Sequence, residues 1–451
     1  MNCNKTFTQK LVVFYNSPPR IPMLSLPKLW IALIYIICPG NTLQSQEFTL
    51  DTLKDTYTFI DWKANRFIGA EASPSFKKLF KKFQQVADGK ARNIHVFHIG
   101  GSHIQADIYP NRLRTYLQNM NEVSEGQRGF IFPFRVAKTN NPSNYKVATD
   151  SQWQGYRCSI KKDSIAWGLA GITAAFRDST ASINIQANYR GYDQQDYNFN
   201  RIRVFYDNWT DDYQIEFEDK NIIKAQKDNL KVHYREYQLT KTVKELQFCI
   251  KRTGDSLTSE FLLMGLELMN DQKGIEYTSI GVNGASFEYY NRCAFFDKQL
   301  QLYKPDLFII SIGTNDAYHP DFEPEKFEEY YRKLITTIQK ANRDCAILLT
   351  VPNDSYYKRK VPNPRTRVME KIILQLSREY KMAVWNFYKI MGGFNSSQQW
   401  YKNQLMPKDR IHFTQLGYRI KADLLLEAFT QAWEKEMRLP ERSMLNTILN
   451  E

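Results

Sequence analysis

The chain is poor in the features that would place it quickly. Six cysteines in 451 residues, none in a Cys-x-x-Cys spacing, argue against a zinc site. The longest apolar run, Leu29 to Cys38, falls well short of the roughly 20 residues that span a bilayer, which argues against stable membrane insertion. Basic residues outnumber acidic ones, 61 to 48, yet they are dispersed, with no run longer than a few, such as Lys77-Lys78 and Lys81-Lys82. A nucleic-acid binder concentrates such charge in a stripe, so nucleic acid is not expected as a partner. There are only six histidines, at 95, 98, 103, 233, 319 and 412, and no internal repeat. What remains is ordinary: 43% apolar, 14% aromatic, long enough for two folded units.

The apolar run follows Lys28 and leads into Pro39-Gly40-Asn41, a basic flank, an apolar core and a turn-rich exit. That pattern reads as a secretory signal over residues 1–46, with Met23 a candidate start; a buried N-terminal helix is the alternative. The expected location is periplasmic or secreted. The first 46 residues hold four of the basic residues and no acidic one, which leaves the remainder at +9 of the chain's +13. Four cysteines follow: Cys158, Cys249, Cys293 and Cys345. Export permits a disulfide, with Cys158 and Cys249 as the pair to check, and buried free thiols are the expected state.

Two patterns alternate along the rest. Residues 47–90 carry helical spacing, with Phe76, Leu79, Phe80 and Phe83 on one face. A strand is expected over 93–99, a tight turn at Gly100-Gly101, then a helix. Residues 150–272 change to period-two alternation, as in Ala181 to Ile185, Arg201 to Phe205 and Glu245 to Cys249, which predicts an inserted antiparallel β-sandwich. Strands at 307–312, 346–351 and 382–387 then alternate with helices at 325–341, 366–380 and 416–437. That order predicts a parallel sheet covered on both faces. The expected domains are a first α/β part (47–149), the insert (150–272), a second α/β part (273–440) and a tail (441–451).

Four segments carry chemistry. Ser102 lies three residues past the first strand and Asn315 three past the strand at 307–312; Gly284 follows a strand candidate at 277–282. In open α/β sheets, ligands bind beyond the carboxyl ends of strands, so a hydroxyl, a side-chain amide and a backbone N–H converge on one sheet edge. Asp409 precedes His412 by three positions, a spacing at which a carboxylate holds the imidazole tautomer and frees the other nitrogen for a serine proton. Each residue alone has a plainer reading: helix cap for Ser102, Asx turn for Asn315, turn glycine for Gly284, capping aspartate for Asp409. His95 and His98 sit in a strand and read as packing; His103 and His319 are candidates to line the pocket. Of the six, His412 is singled out by a nearby carboxylate in a loop before a helix. Together the set is the inventory of a serine esterase.

These residues resemble the blocks of the SGNH, or GDSL-type, hydrolases, which contribute Ser, Gly, Asn and His in that order. The match is most specific in Ser311-Ile312-Gly313-Thr314-Asn315-Asp316 and Asp409-Arg410-Ile411-His412-Phe413-Thr414. The resemblance implies a flavodoxin-like three-layer α/β fold, no cofactor or metal, and catalysis through Ser102, Gly284, Asn315, Asp409 and His412. One departure is that Gly101 stands where the family has aspartate. The literal string Gly254-Asp255-Ser256-Leu257 lies between strand-like runs and reads as a hairpin loop without catalytic role. The Ser102-His103 dipeptide and the inserted β-domain are similar to bacterial peptidoglycan O-acetylesterases, implying an acetylated polysaccharide or peptidoglycan as substrate. Transfer of the acetyl group to a glycan, or glycan binding without turnover, are the alternatives. Trp153, Trp167 and Trp209 are candidates for stacking on sugar, with buried packing the plainer expectation. No long apolar lid segment suggests a lipase.

Overall fold

A central six-stranded sheet is built from β1 (Phe67–Ile68), β2 (Ile94–Gly100), β3 (Ile275–Gly281), β4 (Leu307–Ser311), β5 (Ala346–Thr350) and β6 (Ala383–Trp385), in the order β1-β6-β5-β4-β2-β3. This is a computed structural model, which describes residues 50–207, 212–255 and 258–449. The signal reading over 1–46, Trp209 and Ser256-Leu257 lie outside the described residues. β2 to β6 are parallel, and β1 closes the edge antiparallel to β6, pairing Phe67 with Trp385. The parallel strands are buried along almost their whole length; β5 is buried at every position. That is the signature of a sheet covered on both faces.

The order of the parallel strands is the flavodoxin-like one, with the chain reversing direction across the sheet between β2 and β4. Right-handed crossovers make that reversal decisive. The connection from β2 to β3 and those through β4 to β6 run opposite ways, so their helices cover opposite faces. Accordingly, helices Pro74–Ala87 and Tyr109–Gln118 pack on the terminal helix Gln415–Met437. Helices Pro324–Ala341 and Arg365–Tyr380 pack on each other in a separate group. The helices are amphipathic as their spacing requires: Phe76, Leu79, Phe80, Phe83 and Val86 are the buried positions of the first, with Pro74 at its start. Gln415–Met437 is capped by Thr414, whose hydroxyl accepts the Gly417 N–H at 3.2 Å.

Between β2 and β3 the chain makes an antiparallel sandwich. One sheet runs through Ile223–Asn229, Tyr234–Val243, Phe199–Asp207, Phe261–Met269, Ile172–Phe176 and Gln154–Arg157, with Gly129–Ile131 also paired to Phe261–Met269. The other runs through Lys146–Thr149, Thr180–Gln186, Glu245–Arg252 and Tyr213–Phe217. The sandwich therefore draws strands from 129 and 146, upstream of the boundary expected at 150, because short strands there lack clear alternation. The expected tail holds a helix, Ser443–Leu449. Glu245–Arg252 and Phe261–Met269 belong to different sheets. The loop containing Gly254 and Asp255 thus crosses between sheets and does not close the expected hairpin; sequence proximity alone suggested the pairing.

Trp153 and Trp167 are core residues. Trp153 packs on Phe176 with ring centroids 5.0 Å apart and donates its indole N–H to Thr149, so neither tryptophan is free to stack on sugar. Among the described residues no helix is long and apolar enough to cross a membrane. Residues 56–451 form one compact unit, and of the preceding 55 only the start of helix Leu50–Thr56 is described.

Candidate active site

Ser102 opens a four-residue helical turn, Ser102–Gln105, directly after β2. First-turn N–H groups have no acceptor within their own helix, so the Ser102 amide is available to a ligand. The Ser102 Oγ lies 2.9 Å from His412 Nε2. His412 Nδ1 lies 2.8 Å from Asp409 Oδ2. The second carboxylate oxygen of Asp409 accepts the backbone N–H of Ile411 at 2.9 Å and of His412 at 3.1 Å, which folds the turn that aims the ring. Burial works against the charge on Asp409, but the hydrogen bonds from the His412 ring and these two amides hold its pKa down to about 2. Asp409 is therefore ionised and accepts from Nδ1–H, which leaves Nε2 facing Ser102 as the acceptor.

The remaining blocks meet beside Ser102. The Asn315 Nδ2 donates to the carbonyl of Ala285 at 2.8 Å, linking the loop after β4 to the loop after β3. One amide hydrogen is used there and the second is free for a ligand. Gly101 explains its own departure from the family pattern. A Cβ at that position would stand 2.9 Å from Asn315 Nδ2, so the space an aspartate side chain needs is filled by the amide. Gly284 has φ +82°, a left-handed backbone that favours glycine, and nothing closer than 3.7 Å would meet a Cβ there. Gly284 and Asn315 both line a cavity of about 560 Å³ that also includes Tyr289, Tyr318, His319 and Tyr357.

Several contributors are invisible in the one-dimensional pattern. Gln105, three residues after the serine and buried, accepts the Asn283 N–H at 2.8 Å and donates to Thr139 and Asn140. Ser159 of the insert donates its hydroxyl to the Asn283 carbonyl at 2.8 Å. Two segments thus grip the residue ahead of Gly284. His103 is buried, with Nδ1 2.9 Å from the Tyr418 hydroxyl and its ring 5.2 Å from that of His412. Burial, then the charge of Lys421, hold it neutral well below the usual imidazole range. His98 is also buried, bridged to Tyr277, Ser311 and Tyr109, a packing role as its strand position suggests.

Asp316 is pushed up to about 7 by burial, against bonds from the Phe287 N–H at 3.2 Å and from its own backbone N–H. Carboxylates also stand near other histidines: Asp207 is 3.2 Å from His233 and Glu276 is 3.8 Å from His95. A neighbouring carboxylate therefore does not set His412 apart; the serine hydroxyl on its far side does.

Residues 254–420 match the model of the GDSL-like Lipase/Acylhydrolase family. The protein carries a GDSL-like acylhydrolase domain. It is an ester hydrolase resembling the SGNH enzymes. The matched span begins at Gly254 and includes Gly284, Asn315, Asp409 and His412; Ser102 lies outside it. No curated protein matches the chain. Among solved structures, one described as a peptidoglycan O-acetylesterase in action aligns at 20% identity and TM-score 0.65, over 81% of this chain and 97% of that one. It shares the fold, insert included. A lipase/acylhydrolase from Enterococcus faecalis (23% identity, TM-score 0.28, 38% and 80% of the two chains) is also similar. So is the acetylxylan esterase Axe2 from Geobacillus stearothermophilus (20%, 0.28, 36% and 75%).

Proposed function

We propose that this esterase removes O-acetyl groups from a cell-envelope or dietary glycan of the peptidoglycan kind, outside the cytoplasm, through an acyl-enzyme on Ser102. The observation that carries the reading is the continuous relay from Ser102 through His412 to Asp409, at 2.9 and 2.8 Å. His412 Nε2 takes the serine proton as Oγ attacks the ester carbonyl, and Asp409 stabilises the resulting imidazolium. The oxyanion is met by the Asn315 amide, the Gly284 N–H and the Ser102 N–H, each such donor contributing about 2.7–4 kcal/mol where measured in related chemistry. His412 returns the proton to the departing sugar oxygen, and water then cleaves the acetyl-enzyme with the same imidazole as base.

A glycan fits the adjoining cavity. At 560 Å³ it is of ligand size, and its lining mixes tyrosine faces with polar groups. The rings of Tyr318 and Tyr357 lie 5.6 Å apart at its wall, surfaces suited to the apolar face of a sugar. The dispersed positive balance suits an anionic polymer. The test is acetate release from acetylated peptidoglycan and p-nitrophenol release from its acetate ester. Ser102→Ala is expected to abolish both, and Ser256→Ala to leave both intact; full activity in the first variant overturns the assignment. Labelling with a fluorophosphonate and mapping the modified peptide is expected to mark Ser102.

A further inference from the structure

The chain brings two thiols together that 134 intervening positions separate. Cys158 follows strand Gln154–Arg157 of the insert, and Cys293 follows the short helix after β3. Both are buried and free. Their sulfurs face the same glycine: a Cβ on Gly171 would stand 3.0 Å from Cys158 Sγ and 3.6 Å from Cys293 Sγ. Both sulfurs therefore share one pocket beside Gly171, where the Cys293 Sγ–H donates to the Tyr289 carbonyl at 3.8 Å. The thiol beside Cys158 is thus that of Cys293, and not that of Cys249, the partner to check, which sits on the other sheet of the sandwich. Around this pair runs a polar seam. Arg292 donates to the carbonyls of Cys158 and Ile160, at 2.8 and 3.0 Å, and Ser159 donates to Asn283. The seam joins the insert to the segment 283–293, which carries Gly284.

We infer that Cys158 and Cys293 form a covalent cross-link, a disulfide that staples the inserted β-domain to the segment supplying Gly284. The partner reagent is a small disulfide such as oxidised glutathione. One cysteine thiolate attacks it, forming a mixed disulfide and releasing one glutathione thiolate. The second cysteine thiolate attacks the protein sulfur of that adduct, closing the Cys158–Cys293 bond and releasing the other. Two protein thiols are oxidised, one glutathione disulfide is reduced to two thiols, and the two protons follow the leaving thiolates. The neighbouring Cys158 thiol, then burial, hold the Cys293 thiol well above its ordinary pKa, so attack in the closed fold is slow. Closure belongs to folding in an oxidising medium, before the seam is dry.

The experiment is to refold the full chain in a mixture of oxidised and reduced glutathione, digest it without reduction, and map linked peptides by mass spectrometry. The expected result is a peptide pair joining Cys158 to Cys293 at the mass of two hydrogens less, restored by dithiothreitol. Oxidation is expected to raise the melting temperature by about 3 °C or more. Cys158→Ala and Cys293→Ala each lose that shift, and Cys249→Ala and Cys345→Ala keep it. A map in which both cysteines stay free in that mixture, or in which either is joined to Cys249 or Cys345, overturns the inference. The mapping needs no enzymatic activity, so it stands or falls separately from the esterase reading.

Discussion

Asp409 uses its two oxygens for different tasks, one on the His412 ring and one on the backbone of the turn. Asparagine at this position keeps an acceptor for the turn but presents N–H where the ring needs a carboxylate, which forces the wrong tautomer. Asp409→Asn is therefore expected to lower kcat about 10⁴-fold with a small change in KM and an unchanged circular dichroism spectrum. With its pKa near 2, Asp409 stays ionised at any pH above about 3, so a loss of activity between pH 4 and 7 does not originate there. Gly101 is the second residue with a sharp consequence. Restoring the family aspartate drives a side chain into the Asn315 amide, and the far end of a side chain yields more easily than backbone. Gly101→Asp is expected to cost about 10²-fold in kcat for p-nitrophenyl acetate, the effect of misplacing one oxyanion donor. A rate within twofold of the parent would show that Asn315 does not act at that site.

At the level of elements, the site is an outcome of strand order. β2 and β4 are neighbours flanking the reversal in the sheet, so the loops carrying Ser102 and Asn315 open side by side. β3 flanks β2 on the other side and delivers Gly284 to the same edge. The loop after β3 is held by groups from elsewhere, chiefly Gln105 and Ser159 on Asn283. Removing the Gln105 carboxamide leaves the Asn283 N–H without that acceptor and loosens the segment that presents Gly284. Gln105→Ala is expected to reduce kcat on a small acetate ester about tenfold and to lower stability by about 1–3 kcal/mol. Steady-state kinetics and urea unfolding measure the two effects separately. Gln105 was not legible as a positioning group, because its partners lie 34 to 178 positions away.

Across the whole molecule, the terminal helix carries a buried charge under the site. Lys421 is 6% exposed, with its ammonium 4.4 Å from the ring centroid of Phe387 and 4.9 Å from that of Tyr109. Burial lowers its pKa to about 7 from the ordinary 10.5. The folded-state pKa is depressed, so the associated stability is full above the unfolded value and is lost as pH falls through about 7. Lys421→Met removes that dependence. Its gain in unfolding free energy over the parent is expected to be larger at pH 6 than at pH 10, and an equal gain at both would show that the lysine stays charged in the fold. The same helix presents Tyr418 to His103, so the packing of the last long helix reaches the neighbour of Ser102.

The amino-acid sequence alone determined what is local. Short apolar runs predicted the buried parallel strands within one or two residues, and Asp409 reaches His412 because three positions suffice for an Asx turn. Alternation revealed the β-rich insert, since one face of each strand meets core. Only tertiary packing decided the rest: that β2 and β4 adjoin, that Gly101 is required by the Asn315 amide, and that Cys158 meets Cys293. The same holds for the crossing between sheets at Gly254 and for the carboxylates beside His95 and His233. The physical reason is common to all of these. Contacts across a hundred or more residues depend on how layers stack and which crossovers are right-handed, and no window of sequence contains that information.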